Sequence, residues 1–181
     1  MKRNRLCSSW AKVLGCVLLV VALAACRSTV RVPDAAQPTA QQASVFPDYR
    51  DVVIPPNIAP LNFQVNNPAD EIVVQIKGQR GEPLVAEAEM AGKLRFDSTE
   101  WRRLLTDNRG GQLSVEVFTQ HEGQWLQHPA WKWTVAAEPI DSFLTYRLIE
   151  PSYELYRQLG LYERNLTNFD EHPIYENNDT F

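Results

Sequence analysis

Apolar residues recur at every second position through the middle of the chain. Leu61, Phe63 and Val65 alternate with Asn62 and Gln64, and Ile72, Val74 and Ile76 alternate with Val73, Gln75 and Lys77. The same period runs through Leu113, Val115 and Val117 against Ser114, Glu116 and Phe118, and through Trp131, Trp133 and Val135 against Lys132 and Thr134. Successive side chains of an extended chain point to opposite faces, so each run predicts a strand with one face in a core. Shorter runs of this kind stand at residues 52–54, 84–88 and 94–96. They are separated by Asn66-Asn67-Pro68, by Gly78 to Pro83 and by Asn108 to Gly111, residue types that turn the chain. About seven short strands in about 90 residues predict an all-β fold, a single antiparallel β-sandwich of immunoglobulin or fibronectin type III character over residues 46–137, with a small barrel or jelly roll as the alternative.

The period changes twice. At residues 98–105, Trp101, Leu104 and Leu105 share one helical face behind Ser98, which predicts a short helix capped by that serine. Beyond Glu138 the composition shifts: residues 138–181 hold five of the six tyrosines, nine acidic residues against three arginines, and Gly160 as their only glycine. There Pro151, Tyr153, Tyr156 and Leu159 predict a short helix closed by Gly160. This aromatic-rich extension, helical or extended, is too short for a core of its own and has to wrap the sandwich or dock elsewhere.

The N-terminus reads as an export leader. Lys2, Arg3, Arg5 and Lys12 precede an apolar run over residues 13–25, with no acidic residue before Asp34. The run is shorter than the roughly 20 residues that span a bilayer, so residues 1–25 read as a signal peptide. Leu23-Ala24-Ala25-Cys26 has the form of a bacterial lipobox with cleavage before Cys26. Cys7 and Cys16 leave with the leader, so the mature chain keeps one cysteine without a partner, which lipidation of Cys26 would account for. Acyl chains, palmitate among them, would then hold the protein on the membrane. Residues 26–45, rich in Ala, Gln, Ser, Thr and Pro, read as a flexible tether with a reach on the order of 25 Å.

Processing also changes the charge. Removing the leader's four basic residues takes the net charge from −4 to −8, which argues against a nucleic-acid partner, since no basic stripe is present to neutralise phosphates.

Motifs for chemistry are sparse. His121, His128 and His172 have no common spacing, and neither a nucleophile elbow, a phosphate loop nor a zinc-protease helix occurs. No cofactor, metal site or catalytic residue is expected. The adjacent pair Asp170-Glu171 would point to opposite faces of an extended chain, so it reads as solvated loop charge; a glycan hydrolase, which would need the backbone to bend so that both carboxylates flank one bond, is the third reading behind an interaction module and a carbohydrate-binding one. Trp125, Trp131 and Trp133 admit two readings: core residues of the sandwich, or an aromatic platform for sugar rings. Tyr146, Tyr153, Tyr156 and Tyr162 are the candidate binding residues of the extension.

Two stretches carry a family resemblance. Ile54-Pro55-Pro56-Asn57-Ile58-Ala59-Pro60-Leu61-Asn62-Phe63 is one; the other runs from Tyr146-Arg147-Leu148-Ile149-Glu150-Pro151 through Tyr162-Glu163-Arg164-Asn165-Leu166 to Asn168-Phe169-Asp170-Glu171. Over residues 49–178 the chain resembles the N-terminal region of TolB-like β-propeller lipoproteins of the Gram-negative envelope. The resemblance implies a periplasm-facing membrane lipoprotein, on the outer membrane in preference to the inner, with a non-catalytic β module that leads into a larger body. The family's Cys-x-x-Cys-His haem-like motif and propeller repeats are absent from this sequence, so haem binding is not implied. The expectation is a lipid-anchored envelope accessory module, its partner a protein or the propeller domain of the family; a glycan partner through the tryptophans is the alternative.

Overall fold

The computed structural model describes residues 30–149 and 159–176; residues 1–25, expected to be a signal peptide, and Cys26, Tyr153 and Tyr156 lie outside them. In chain order the strands are β1 (Gln37–Pro38), β2 (Val45–Phe46), β3 (Val53–Ile54), β4 (Gln64–Val65), β5 (Glu71–Lys77), β6 (Leu84–Glu87), β7 (Gln112–His121), β8 (Gln124–Gln127), β9 (Trp131–Val135), β10 (Phe143–Ile149), β11 (Leu159–Asn165) and β12 (Glu171–Glu176). Among the described residues one α-helix, α1 (Ser98–Asp107), interrupts them.

The ten-residue β7 organises the main sheet. One of its edges carries β5, antiparallel over the whole of β5, and β6 lies beyond that. Its other edge is shared: β9 pairs with residues 112–115 and β8 with residues 118–121. The chain turns sharply from β7 into β8 because Glu122 and Gly123 both take left-handed backbone angles, φ 49° and 79°, the conformation of a two-residue hairpin turn. At the sheet's margin β1 runs parallel to β8 and β3 parallel to β9, which completes seven strands.

Register decides which side chains meet. Val115 lies opposite both Ile76 and Trp131, Val117 opposite Val74, and Leu113 opposite Trp133, so the period-two apolar positions of three strands share one face. That face, with Leu84 and Ala86 of β6, forms the core. Each fully buried aliphatic side chain contributes about 1.5–3 kcal/mol by leaving water. The second layer consists of α1, the two-stranded β2–β4 sheet and their connections. From it Trp101, Leu104 and Leu105 of α1, together with Phe63, Val65, Leu94 and Phe96, close over the sheet. The sheets do not close into a barrel; the fold is all-β and sandwich-like, as the alternation predicts.

Several local expectations change. The helix cap is Asp97, whose Oδ1 accepts from the Thr99 and Glu100 N–H groups at 2.9 and 3.0 Å, while Ser98 is already helical. Residues 61–65 contribute strand only at Gln64 and Val65, and residues 94–96 form no strand. The expected tether is bound in its second half. Gln37 and Pro38 pair with Leu126 and Gln127, the Thr39 N–H donates to the Gln127 C=O at 2.9 Å, and Ala43 is buried in the core. His128 fixes this strap. A carbonyl oxygen only accepts, so His128 Nδ1 carries the proton it donates to the Gln41 C=O at 2.8 Å, and Nε2 accepts from the Thr119 hydroxyl at 2.9 Å.

The extension forms a sheet of its own, β10-β11-β12, antiparallel throughout. The helix expected before Gly160 falls mostly outside the described residues; its last two positions, Leu159 and Gly160, open strand β11. This small sheet is joined to the sandwich through the Ala59 N–H, which donates to the Leu166 C=O at 2.8 Å. The Asn57 side chain adds a reciprocal pair of hydrogen bonds with the Ile140 backbone, at 2.9 and 3.1 Å.

Candidate functional site

Among the described residues, most of the large exposed hydrophobic side chains lie in the three-stranded sheet and the segments that border it. Eleven large hydrophobic residues stand exposed among the described residues, and eight of them lie between positions 140 and 176: Ile140, Phe143, Leu144, Leu148, Leu161, Phe169, Ile174 and Tyr175. Isolated exposed hydrophobics are ordinary, but a concentration around one small element makes it the candidate surface.

Alternation along β10 and β11 sorts these residues onto two faces. On one, Leu144, Tyr146 and Leu148 stand beside Arg164, Tyr162 and Gly160. The Tyr146 and Tyr162 rings stack at 5.9 Å between centroids and 23° between planes. Gly160 makes room for this stack, since a Cβ there would run into the Tyr162 ring. Both phenols donate to carboxylates of β12: Tyr146 to Glu171, and Tyr162 to Glu176 at 2.6 Å. Arg164 pairs with the same Glu171 at 3.5 Å. The hydrogen bond to Glu171 raises the Tyr146 pKa above its ordinary 10.0, and the bond to Glu176 does the same for Tyr162, because a carboxylate acceptor favours the protonated phenol. The other face presents Phe143, Leu161 and Tyr175 with a His172–Glu163 contact at 3.3 Å.

Of the four candidate tyrosines, Tyr146 and Tyr162 are thus brought together as neighbours on one sheet face, half-buried. Tyr153 and Tyr156 lie outside the described residues, as does Cys26.

The tryptophans separate. Trp131 and Trp133 are core residues, 5% and 0% exposed, so neither offers a ring face to a glycan, and the platform reading loses two of its three members. Trp133 meets the Phe63 and Trp101 rings edge-on and donates Nε1–H to the Tyr49 C=O at 2.5 Å. Trp131 packs on Phe63 and lies under the Arg50 guanidinium, 5.9 Å from the ring centroid. The physical reason is the register: both occupy the face of β9 that meets Leu113 and Val115. Trp125 differs. It sits on the other face of β8, half-buried, and lines a hollow of about 350 Å³ with Pro33, Asp34, Gln37 and Gln124.

Among the described residues no group of three or more His, Cys, Asp or Glu side chains is placed to hold a metal ion. Asp170 accepts from the Asn168 side chain at 2.6 Å, while Glu171 is engaged by Tyr146 and Arg164, so the adjacent carboxylates serve different neighbours.

The aromatic segment, expected as helical or extended, is extended over its described residues, where it forms β10, β11 and β12. The signal was the run Phe143-Leu144-Thr145-Tyr146-Arg147-Leu148-Ile149, which is rich in β-favouring residues and in which Thr145 and Arg147 alternate with Leu144, Tyr146 and Leu148. Phe143 and Ile149 put apolar residues on the same alternate set as Thr145 and Arg147, which shortens the visible period. No protein-family model matches this chain, and neither a curated protein nor a solved structure matches it.

Proposed function

We propose that the protein is a non-catalytic accessory module of the cell envelope, anchored by lipid at Cys26, that binds a protein partner through its C-terminal three-stranded sheet. The observation that carries this reading is the concentration of exposed Leu144, Leu148, Phe143, Leu161 and Tyr175 on one element held off the main core. Leaving such area in water is unfavourable by about 25 cal/mol per Å², and covering it is the simplest use for it. The mechanism is placement: acyl chains confine the module to the periplasmic face of a membrane, the outer one in preference to the inner, and the sheet supplies the adhesive surface. The resemblance to TolB-like lipoproteins makes a propeller-type body one candidate for that surface.

Two measurements test the proposal. Metabolic labelling with a fatty-acid analogue should mark the wild-type chain and be lost in Cys26→Ala; labelling that survives the substitution refutes the anchor. A photo-crosslinking side chain at Leu148 should capture a discrete species in intact cells, while the same group at Met90, exposed on the sandwich, should not. Equal capture from both positions, or none from either, refutes the docking surface.

The Trp125 hollow supports a narrower second reading, a glycan contact, because an accessible indole beside Asp34, Gln37 and Gln124 combines a stacking face with hydrogen-bonding groups. Saturable changes in tryptophan fluorescence with cell-wall oligosaccharides, abolished by Trp125→Ala, would establish it; unchanged emission removes it.

A further inference from the structure

The two edges of the small sheet are built differently. On the β12 side, Pro173 lies within the strand, the register shifts between Leu161 and Tyr162, and Glu171 and Glu176 end the strand with charge. Proline, bulges and charge are the devices by which proteins block an edge against further pairing. On the β10 side, Phe143–Ile149 is seven residues long, regular in register, without proline and with Arg147 as its one charge. Among the described residues no backbone hydrogen bond joins this edge to another strand.

The direction of its polar groups follows from one bond. The Ser142 C=O accepts from the Leu166 N–H at 2.8 Å, and antiparallel strands alternate inward and outward residues. Ser142, Leu144, Tyr146 and Leu148 therefore face β11, while Phe143, Thr145, Arg147 and residue 149 turn their N–H and C=O groups outward. In agreement, the Phe143 N–H is taken by the Asp141 side chain at 3.1 Å instead of by β11.

We propose that this edge pairs with the same edge of a second copy of the chain, antiparallel about an axis through Tyr146, to make one six-stranded sheet across a dimer. The proposal rests on the docking reading above and names its partner. The argument is the self-complementarity of the strand. About that axis Leu144 falls opposite Leu148, Thr145 opposite Arg147, Phe143 opposite residue 149, and Tyr146 opposite itself. Residues 144–148 are all engaged, the Phe143 N–H stays with Asp141 at the end of the seam, and no like charges meet. Sliding the axis one residue toward the C-terminus sets Arg147 against Arg147, which like-charge repulsion disfavours. Thr145 and Arg147 form the hydrogen-bonded pairs. Tyr146 then forms a non-hydrogen-bonded pair, the kind that brings side chains closest, so the Tyr146–Tyr162 stack of each copy continues into the other. Confinement of anchored chains to one membrane would raise their effective concentration and favour such pairing.

Cysteine crosslinking reads this register directly. Cells expressing Leu144→Cys and Leu148→Cys chains together should yield a disulfide-linked dimer under mild oxidation. Either variant alone should show only the background of the unsubstituted chain, because residue 144 of one copy faces 148 of the other and lies four strand positions from its own counterpart. Thr145→Pro should abolish the crosslink and shift the full-length protein in detergent from dimer to monomer by sedimentation. Its far-ultraviolet circular dichroism should keep the shape of the unsubstituted chain, since the lost N–H points outward, while its melting temperature should lose only the part that depends on protein concentration. Thr145→Arg supplies a second disruption: within its own copy the new charge faces Glu163, but across the axis it faces Arg147, and it should weaken dimerisation by about tenfold or more. Crosslinks from each single variant equal to those of the mixture would overturn the register. A monomeric full-length protein whose Leu148 probe captures a different molecule would overturn the second copy and leave the docking surface standing. A monomer that captures nothing would overturn both.

Discussion

Replacing Trp133 by alanine separates a structural tryptophan from a sugar platform, and its size can be worked from the contacts. The substitution removes a side chain with 0% exposure, two edge-on aromatic contacts at 6.4 and 5.9 Å, and the donor to the Tyr49 C=O. Large-to-small changes at such sites cost about 3–5 kcal/mol, and a carbonyl left without its donor adds about 1–3 kcal/mol where water does not replace it. These contributions overlap, so about 4–5 kcal/mol is expected, against a typical domain stability of about 5–15 kcal/mol. With a urea slope near 2 kcal/mol per molar, the midpoint should fall by about 2 M. Trp131→Ala should cost less, because its Nε1 has no partner to lose, and Trp125→Ala should shift the midpoint by less than about 0.5 M. Equilibrium urea unfolding followed by near-ultraviolet circular dichroism gives the order directly. If Trp131→Ala and Trp133→Ala both unfold within about 1 kcal/mol of wild type, the assignment of these residues to the core is wrong.

Two further substitutions probe the small sheet and the strap. Tyr146 and Tyr162 have pKa values raised above 10.0 by their carboxylate acceptors, so the stability that these hydrogen bonds supply is fully present below about pH 10 and is lost as pH rises through the raised values. The tyrosinate absorbance of the folded protein should include a component titrating above the ordinary range, and Glu171→Gln should move part of it down; an unchanged profile would reject the Tyr146–Glu171 bond. His128→Phe leaves the Gln41 carbonyl and the Thr119 hydroxyl without their shared partner, at a cost of about 2–3 kcal/mol. Amide exchange at Thr39 should quicken more than at Val74 in the sheet centre, and equal acceleration at both would mean that His128 does not hold the strap.

What could be read from the sequence follows from where side chains decide the structure. Strands β5, β7 and β9 each put one face in the core, so Ile72, Val74, Ile76, Leu113, Val115, Val117, Trp131 and Trp133 wrote a period of two into the chain. Helix α1 was equally visible through Trp101, Leu104 and Leu105, though Asp97 and Ser98 are both good caps and only geometry separates them. Strand β1 left no such trace: Gln37 and Pro38 are exposed and are held by backbone hydrogen bonds, to which composition is blind. Gly160 misled because glycine suits a helix end and also a strand that must admit a neighbouring ring. The candidate surface was legible as an aromatic segment in need of a partner. Its stacked pair and its asymmetric edges depend on cross-strand register, which no short-range pattern encodes.

The tight turn at Glu122 and Gly123 bears on how the molecule assembles. Closing two residues costs little chain entropy, so the β7–β8 ribbon is the cheapest tertiary unit to nucleate, whereas β5, β9 and β1 all pair with strands that this ribbon supplies. Gly123→Ala, strained at φ 79°, should therefore slow refolding in stopped-flow traces more than it speeds unfolding; the opposite partition would place nucleation elsewhere. On this order the strap at residues 37–43 docks only after the ribbon has formed, since the margin it needs is β8 itself.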